Sequence, residues 1–150
     1  MVRSRTYFKA CKNTMRLKIS SPDKIIYEWF IEKITLPTES WDITILPNQT
    51  PIVSALKPGL VKFIPEWKSW TEHISISKWM MFTDGKKIRI VTSSATTSPT
   101  ETEEILVKEK QDLENKIREL KKSWSIEEIE KYTIKLEKIN ADLKLKKIRA

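Results

Sequence analysis

Thr92-Ser-Ser-Ala-Thr-Thr-Ser-Pro-Thr100 divides the chain into two kinds of sequence. Small hydroxylated residues closed by a proline suit neither a helix nor a strand interior, so the stretch reads as a linker. Before it lies an aromatic-rich region of short, punctuated apolar runs. After it come Glu, Lys, Leu and Ile with a seven-residue repeat. The layout predicts an α+β protein. A basic arm at 1–14 precedes a head at 15–92, a linker fills 93–100, and 101–150 forms a two-helix, coiled-coil-like hairpin. That is a binding head on an assembly stalk.

In the tail, Leu106, Leu113 and Leu120 recur every seven residues, with Ile117 and Trp124 between them and Lys110 interrupting. Ser125-Ile-Glu-Glu128 has the form of a capping box and restarts the helix. Ile129, Leu136 and Leu143 then repeat at seven, alternating with Tyr132 and Ile139. Only Lys122 to Trp124 separates the helices, which predicts a tight antiparallel pair. Such a pair buries part of each seam, so helices of another copy, or of a helical protein partner, are expected to complete it. Glu109 and Lys138 flank the seam and should tolerate alanine.

In the head, Met15–Ile19 alternates as a strand. Ser21-Pro-Asp23 has helix-start chemistry, and Lys24–Ile34 is expected as a largely buried helix on a sheet. Trp41–Leu46 and Gly59–Ile64 read as further strands, for about four to five in all, counting a C-terminal hairpin. That hairpin joins Ile74–Phe82 to Lys87–Val91 through a two-residue turn at Asp84-Gly85. In that register Met81 opposes Ile88 and Trp79 opposes Ile90 on a core face. Phe82 opposes Lys87 and Met80 opposes Arg89 on the other. Trp67 and Trp70, three residues apart, form either a core lid or a binding platform.

The formal net charge of +8 is concentrated in the head, where residues 1–95 hold 15 Lys/Arg against 8 Asp/Glu. The arm carries Arg3, Arg5, Lys9 and Lys12 without an acid, and Arg16 and Lys18 follow. With Lys78, Phe82, Lys87 and Arg89 on the outer hairpin face, these residues have the composition that holds phosphates and stacks bases.

Catalytic chemistry finds little material. Cys11 and His73 are single, which excludes an intramolecular disulfide and leaves a zinc site short of ligands. With only Gly59 and Gly85, no glycine-rich phosphate loop can form. Asp42, Glu66, Glu72 and Asp84 are candidate carboxylates that no spacing brings together. No stretch has the roughly 18 apolar residues of a membrane span. The expectation is a non-enzyme with no catalytic residue, cofactor or metal and no membrane partner. A cytoplasmic location is expected, with nucleus or mitochondrion as alternatives.

The order of head, Ser/Thr/Pro linker and lysine-rich tail resembles, in layout and length, the aphid transmission factors of caulimoviruses. Met15–Ile45, with its strand, capped helix, Ile34–Thr38 turn and next strand, resembles the opening of a ferredoxin-like ribosomal small-subunit protein. The residues point to an RNA- or single-strand-binding assembly protein, with nucleic acid and further copies of itself as partners. The alternative is a protein-bridging adaptor or viral transmission-type factor without a nucleic-acid ligand.

Overall fold

The computed structural model describes residues 13–66, 68–99 and 101–149. Nine strands come first: β1 (Met15–Ser20), β2 (Ile25–Pro37), β3 (Asp42–Ile45), β4 (Ile52–Leu56), β5 (Gly59–Pro65), β6 (Glu72–Ile76), β7 (Trp79–Thr83), β8 (Lys87–Thr92) and β9 (Ala95–Thr96). Two helices follow, α1 (Glu103–Ser123) and α2 (Ile126–Arg149). The α+β class stands, while Ala95–Thr96 of the expected linker is β9, paired with β6 of the head. The arm at 1–12 lies outside the described residues.

The expected helix at Lys24–Ile34 is instead the first part of β2. As a helix, apolar residues at 25, 26, 27, 29, 30, 31 and 34 would surround the axis and demand cover on every side. Ile, Tyr, Trp and Phe also favour pleated structure. Local preference differs by under about 0.7 kcal/mol per residue, whereas burying Ile31, Ile34 or Leu36 contributes about 2 kcal/mol each. Tertiary pairing therefore decides, and all three side chains are fully buried.

β2 organises the head because it serves two layers. Its first half pairs antiparallel with β1, and its second half pairs with β3 and β5 across an irregularity between Ile31 and Lys33. The strand order is β4-β7-β8-β1-β2-β5-β6-β9, with β3 beside β2. Folding at β2 lays one part of the sheet over the other. Met15, Leu17, Ile19, Met81, Ile88 and Ile90 from the first layer share a core with Ile34, Leu36, Ile45, Val61, Phe63, Ile74 and Ile76. The Tyr27 and Phe63 rings meet with centroids 4.7 Å apart.

The C-terminal hairpin of the head is offset from expectation by two residues. Met81 faces Ile90, Phe82 faces Arg89 and Trp79 faces Thr92. Gly85 alone has positive φ in this turn, at 92°, where a type I′ turn needs two such residues. Asp84 Oδ1 instead accepts from the backbone N–H groups of Lys86 and Lys87, both at 2.8 Å. Those bonds, led by that from Lys87, hold the Asp84 carboxyl below the usual carboxylate range. A two-residue slip preserves sidedness, so Met81, Ile88 and Ile90 still point inward. Trp79 does not fill the core as expected: it lies on the inward side at a strand end and is 56% exposed.

α1 begins at the Thr102 cap and ends at Trp124, whose backbone turns left-handed at φ 59°. Two residues, Trp124 and Ser125, thus separate the helices. Trp124 is 81% exposed and does not join the seam. Leu113, Ile117, Leu120, Ile129, Leu136, Ile139 and Leu143 are half-buried between helices, and Leu106 is buried. Lys116 and Lys135 lie 4.8 and 5.3 Å from the Tyr132 ring centroid. The Lys116 hydrogen bond, followed by its charge, lowers the Tyr132 phenol pKa.

The tail is not a free-standing stalk, because α2 packs against β5 and β6 of its own head. Ala141 and Leu145 are buried there. Between them runs a polar clasp. Lys138 Nζ donates to Ser75 Oγ at 2.9 Å, Thr96 Oγ1 at 3.0 Å and Asp142 Oδ1 at 2.7 Å, while Ser75 Oγ donates to Asp142 Oδ1 at 2.6 Å. The Lys138 and Asp142 side chains are only 13% and 16% exposed. Lys138 is therefore not a tolerant flanking residue. Lys138→Ala should destabilise the protein by about 2 kcal/mol, because it leaves the shielded Asp142 carboxylate without its counter-charge. Glu109→Ala, at an exposed site, should stay within about 0.5 kcal/mol. Urea unfolding of both variants checks the contrast.

Candidate functional site: the outer face of the first layer

The second layer's outer surface is covered by α2, whereas among the described residues neither helix packs substantially on β4, β7, β8, β1 or β2. Its side chains are fixed by register. One row runs Val53, Phe82, Arg89, Lys18 and Glu28 across five strands, and a second runs Lys87, Arg16 and Phe30 across three. The parallel pairing of β1 with β8 creates both rows, because it sets Arg16 beside Lys87 and Lys18 beside Arg89. Lys78 lies exposed at the end of the same face, just before β7.

Thus the structure brings together Arg16, Lys18, Lys78, Phe82, Lys87 and Arg89. Arg3, Arg5, Lys9 and Lys12 lie outside the described residues. Arg16 is ion-paired with Glu28, which supplies the acid within the two rows. Phe30 and Phe82 are each 41% exposed, and Val53 more so. Sequence reading missed Val53, Phe30 and Glu28, since nothing local to them announces which strands become neighbours. The face is a sheet surface with exposed aromatics among cations. Such a surface suits docking against a flat acidic surface, where aromatic anchors supply burial and charge supplies orientation.

The carboxylates weighed for acid–base chemistry are dispersed. Glu66 has its pKa raised by burial and then by Glu32. Glu72 accepts from Lys68 Nζ at 2.9 Å and Trp70 Nε1 at 3.0 Å. Asp84 holds its turn, and Asp42 is exposed at the start of β3. Trp70 is exposed beside Lys68 rather than lidding the core, and Trp67 lies outside the described residues. Among the described residues no group of three or more His, Cys, Asp or Glu could hold a metal ion. No helix among the described residues is long and apolar enough to cross a membrane.

Comparison with known proteins assigns the head. Residues 14–98 match the profile described as ATP synthase, Delta/Epsilon chain, beta-sandwich domain. The mitochondrial ATP synthase subunit delta of Neurospora crassa is 29% identical over 87 residues, covering 57% of this chain and 53% of that protein. The chloroplastic ATP synthase epsilon chain of Chara vulgaris is 30% identical over 82 residues, covering 55% and 60%. The epsilon chain of a Nitratiruptor species is 27% identical over 73 residues, covering 44% and 56%. The chain thus spans little more than half the length of these curated relatives. A chain in the Euglena gracilis mitochondrial ATP synthase, OSCP/F1/c-ring structure shares the fold, with TM-score 0.71 at 20% identity, over 87% of this chain and 79% of that one.

These matches overturn the expected function. The basic face is not assigned to RNA or single strands, nucleic acid is not the partner, and neither a self-assembling stalk nor a viral bridging factor is what the chain resembles. The likeness to a ribosomal protein also fails, because its helix is β2. The relatives are mitochondrial, chloroplastic or bacterial, which gives no support to a cytoplasmic location. With more than half of its length matched by that one profile, the chain belongs to the ATP synthase delta/epsilon chain family.

Proposed function

We propose that this protein is a non-catalytic subunit of an ATP synthase, working within an F1/c-ring assembly such as the Euglena gracilis one whose chain shares its fold. It acts by docking. The observation that carries this reading is the outer face, on which neither helix packs substantially among the described residues and where Arg16, Lys18, Lys87 and Arg89 surround Phe82 and Phe30 on strands whose inward side chains Met15, Leu17, Ile19, Met81, Ile88 and Ile90 are buried in the core. A sheet layer fixed from behind loses little conformational freedom on binding, so its contacts are converted efficiently into affinity. The partner surface is another ATP synthase subunit carrying acidic and apolar residues. The carboxylates support a non-catalytic role, since Glu28, Glu72, Asp84 and Asp142 are each engaged in contacts that hold the fold. The acid-free stretch 1–14, with Arg3, Arg5, Lys9 and Lys12, supports a mitochondrial location. Affinity capture of the tagged chain from its own cells, after mild detergent extraction, should return ATP synthase subunits in stoichiometric amounts. Capture without any of them would overturn the proposal.

A further inference from the structure

We propose that the slot between the helical hairpin and the β8–β9 turn binds a free fatty acid anion. This site is separate from the outer face and does not depend on the reading of that face. The hairpin overhangs the sheet edge here, leaving an open cavity of about 620 Å³ whose floor is Leu113 of α1 and Ile134 and Ile139 of α2. Ser77, Ser93 and Ser94 form the opposite wall. Lys131 and Lys135 stand one helical turn apart on the rim, both exposed. The ion pairs of the described residues are Arg16–Glu28, Lys68–Glu72 and Lys138–Asp142, so neither rim lysine belongs to one. Lys138 also borders the slot but is held in the clasp. Glu109 is the acid on the α1 side.

An apolar floor bordered by two lysines outside those ion pairs, of which Lys135 also lies 5.3 Å from the Tyr132 ring centroid, matches an acyl chain ending in a carboxylate. A polyanion would leave the floor uncovered. A neutral alcohol of equal length would leave the lysines unpaired.

The test is displacement of a dansylated undecanoate probe from the full-length protein by sodium dodecanoate, below its micelle concentration. Affinity should rise about threefold for each methylene from octanoate to dodecanoate. Dodecanol should bind at least about tenfold more weakly than dodecanoate. Lys131→Gln with Lys135→Gln, both at exposed sites, should weaken dodecanoate binding about tenfold while leaving the circular dichroism spectrum unchanged. Ser94→Trp, which narrows the exposed mouth, should abolish displacement. Equal binding of dodecanol, equal competition by pyrophosphate, preferential uptake of the probe by phosphatidylglycerol vesicles over the protein, or unchanged affinity in the double lysine variant would each overturn the proposal.

Discussion

Gly85→Ala should destabilise the head by about 3 kcal/mol and lower its melting midpoint by roughly 10 °C, a larger effect than any surface change. Two causes add. At φ 92° an L side chain is strained whatever the space around it. A Cβ there would also lie 2.6 Å from the Gln49 carbonyl oxygen, a backbone atom that cannot rotate aside. The Asn48 N–H donates to the Gly85 carbonyl at 2.8 Å, so retreat of either loop breaks the bond between them. Thermal melting followed by circular dichroism checks this. A shift under about 2 °C would mean that the two loops do not meet.

Lys18→Glu with Arg89→Glu should leave the fold intact and weaken assembly into the ATP synthase by at least about 100-fold. The two residues are cross-strand neighbours in the middle of the outer face. Reversal places like charges against an acidic partner and beside Glu28, which already lies opposite Lys18. Neither side chain belongs to the core, so the melting midpoint should move by only a few degrees. Reconstitution into subunit-depleted enzyme, scored by the fraction of protein bound, separates assembly from folding. Wild-type incorporation of the double variant would remove this face from the interface.

Local chemistry made some of this legible. Phe82 and Arg89 could be assigned to one face before their register was known, because alternation survives an error of two residues. The helical pair was legible from Leu106, Leu113 and Leu120 in one helix and Ile129, Leu136 and Leu143 in the other, each set spaced by seven. What stayed hidden was non-local. The parallel union of β1 with β8 joins residues some 70 positions apart in sequence, and no pattern within either strand announces it. Lys138 was misread because a heptad count tracks one stripe, whereas α2 carries a second at 138, 141, 142 and 145 facing β6. The signal was present in the spacing of Ala141 and Leu145 but is short and interrupted by charge. Composition also could not tell what the basic face meets, since phosphates and carboxylates both call for arginine, lysine and exposed aromatics. Kinship of residues 14–98 with the ATP synthase delta/epsilon chain family removed nucleic acid as the expected partner.

The most direct test of the central claim is a cryo-electron microscopy map of the ATP synthase purified from the cells that make this protein. The account predicts density for this chain with Phe82, Arg89, Lys18 and Phe30 buried against a neighbouring subunit, and with α2 resting on β5 and β6. A complete assembly in which this chain is absent, or present with that face turned to solvent, would contradict it.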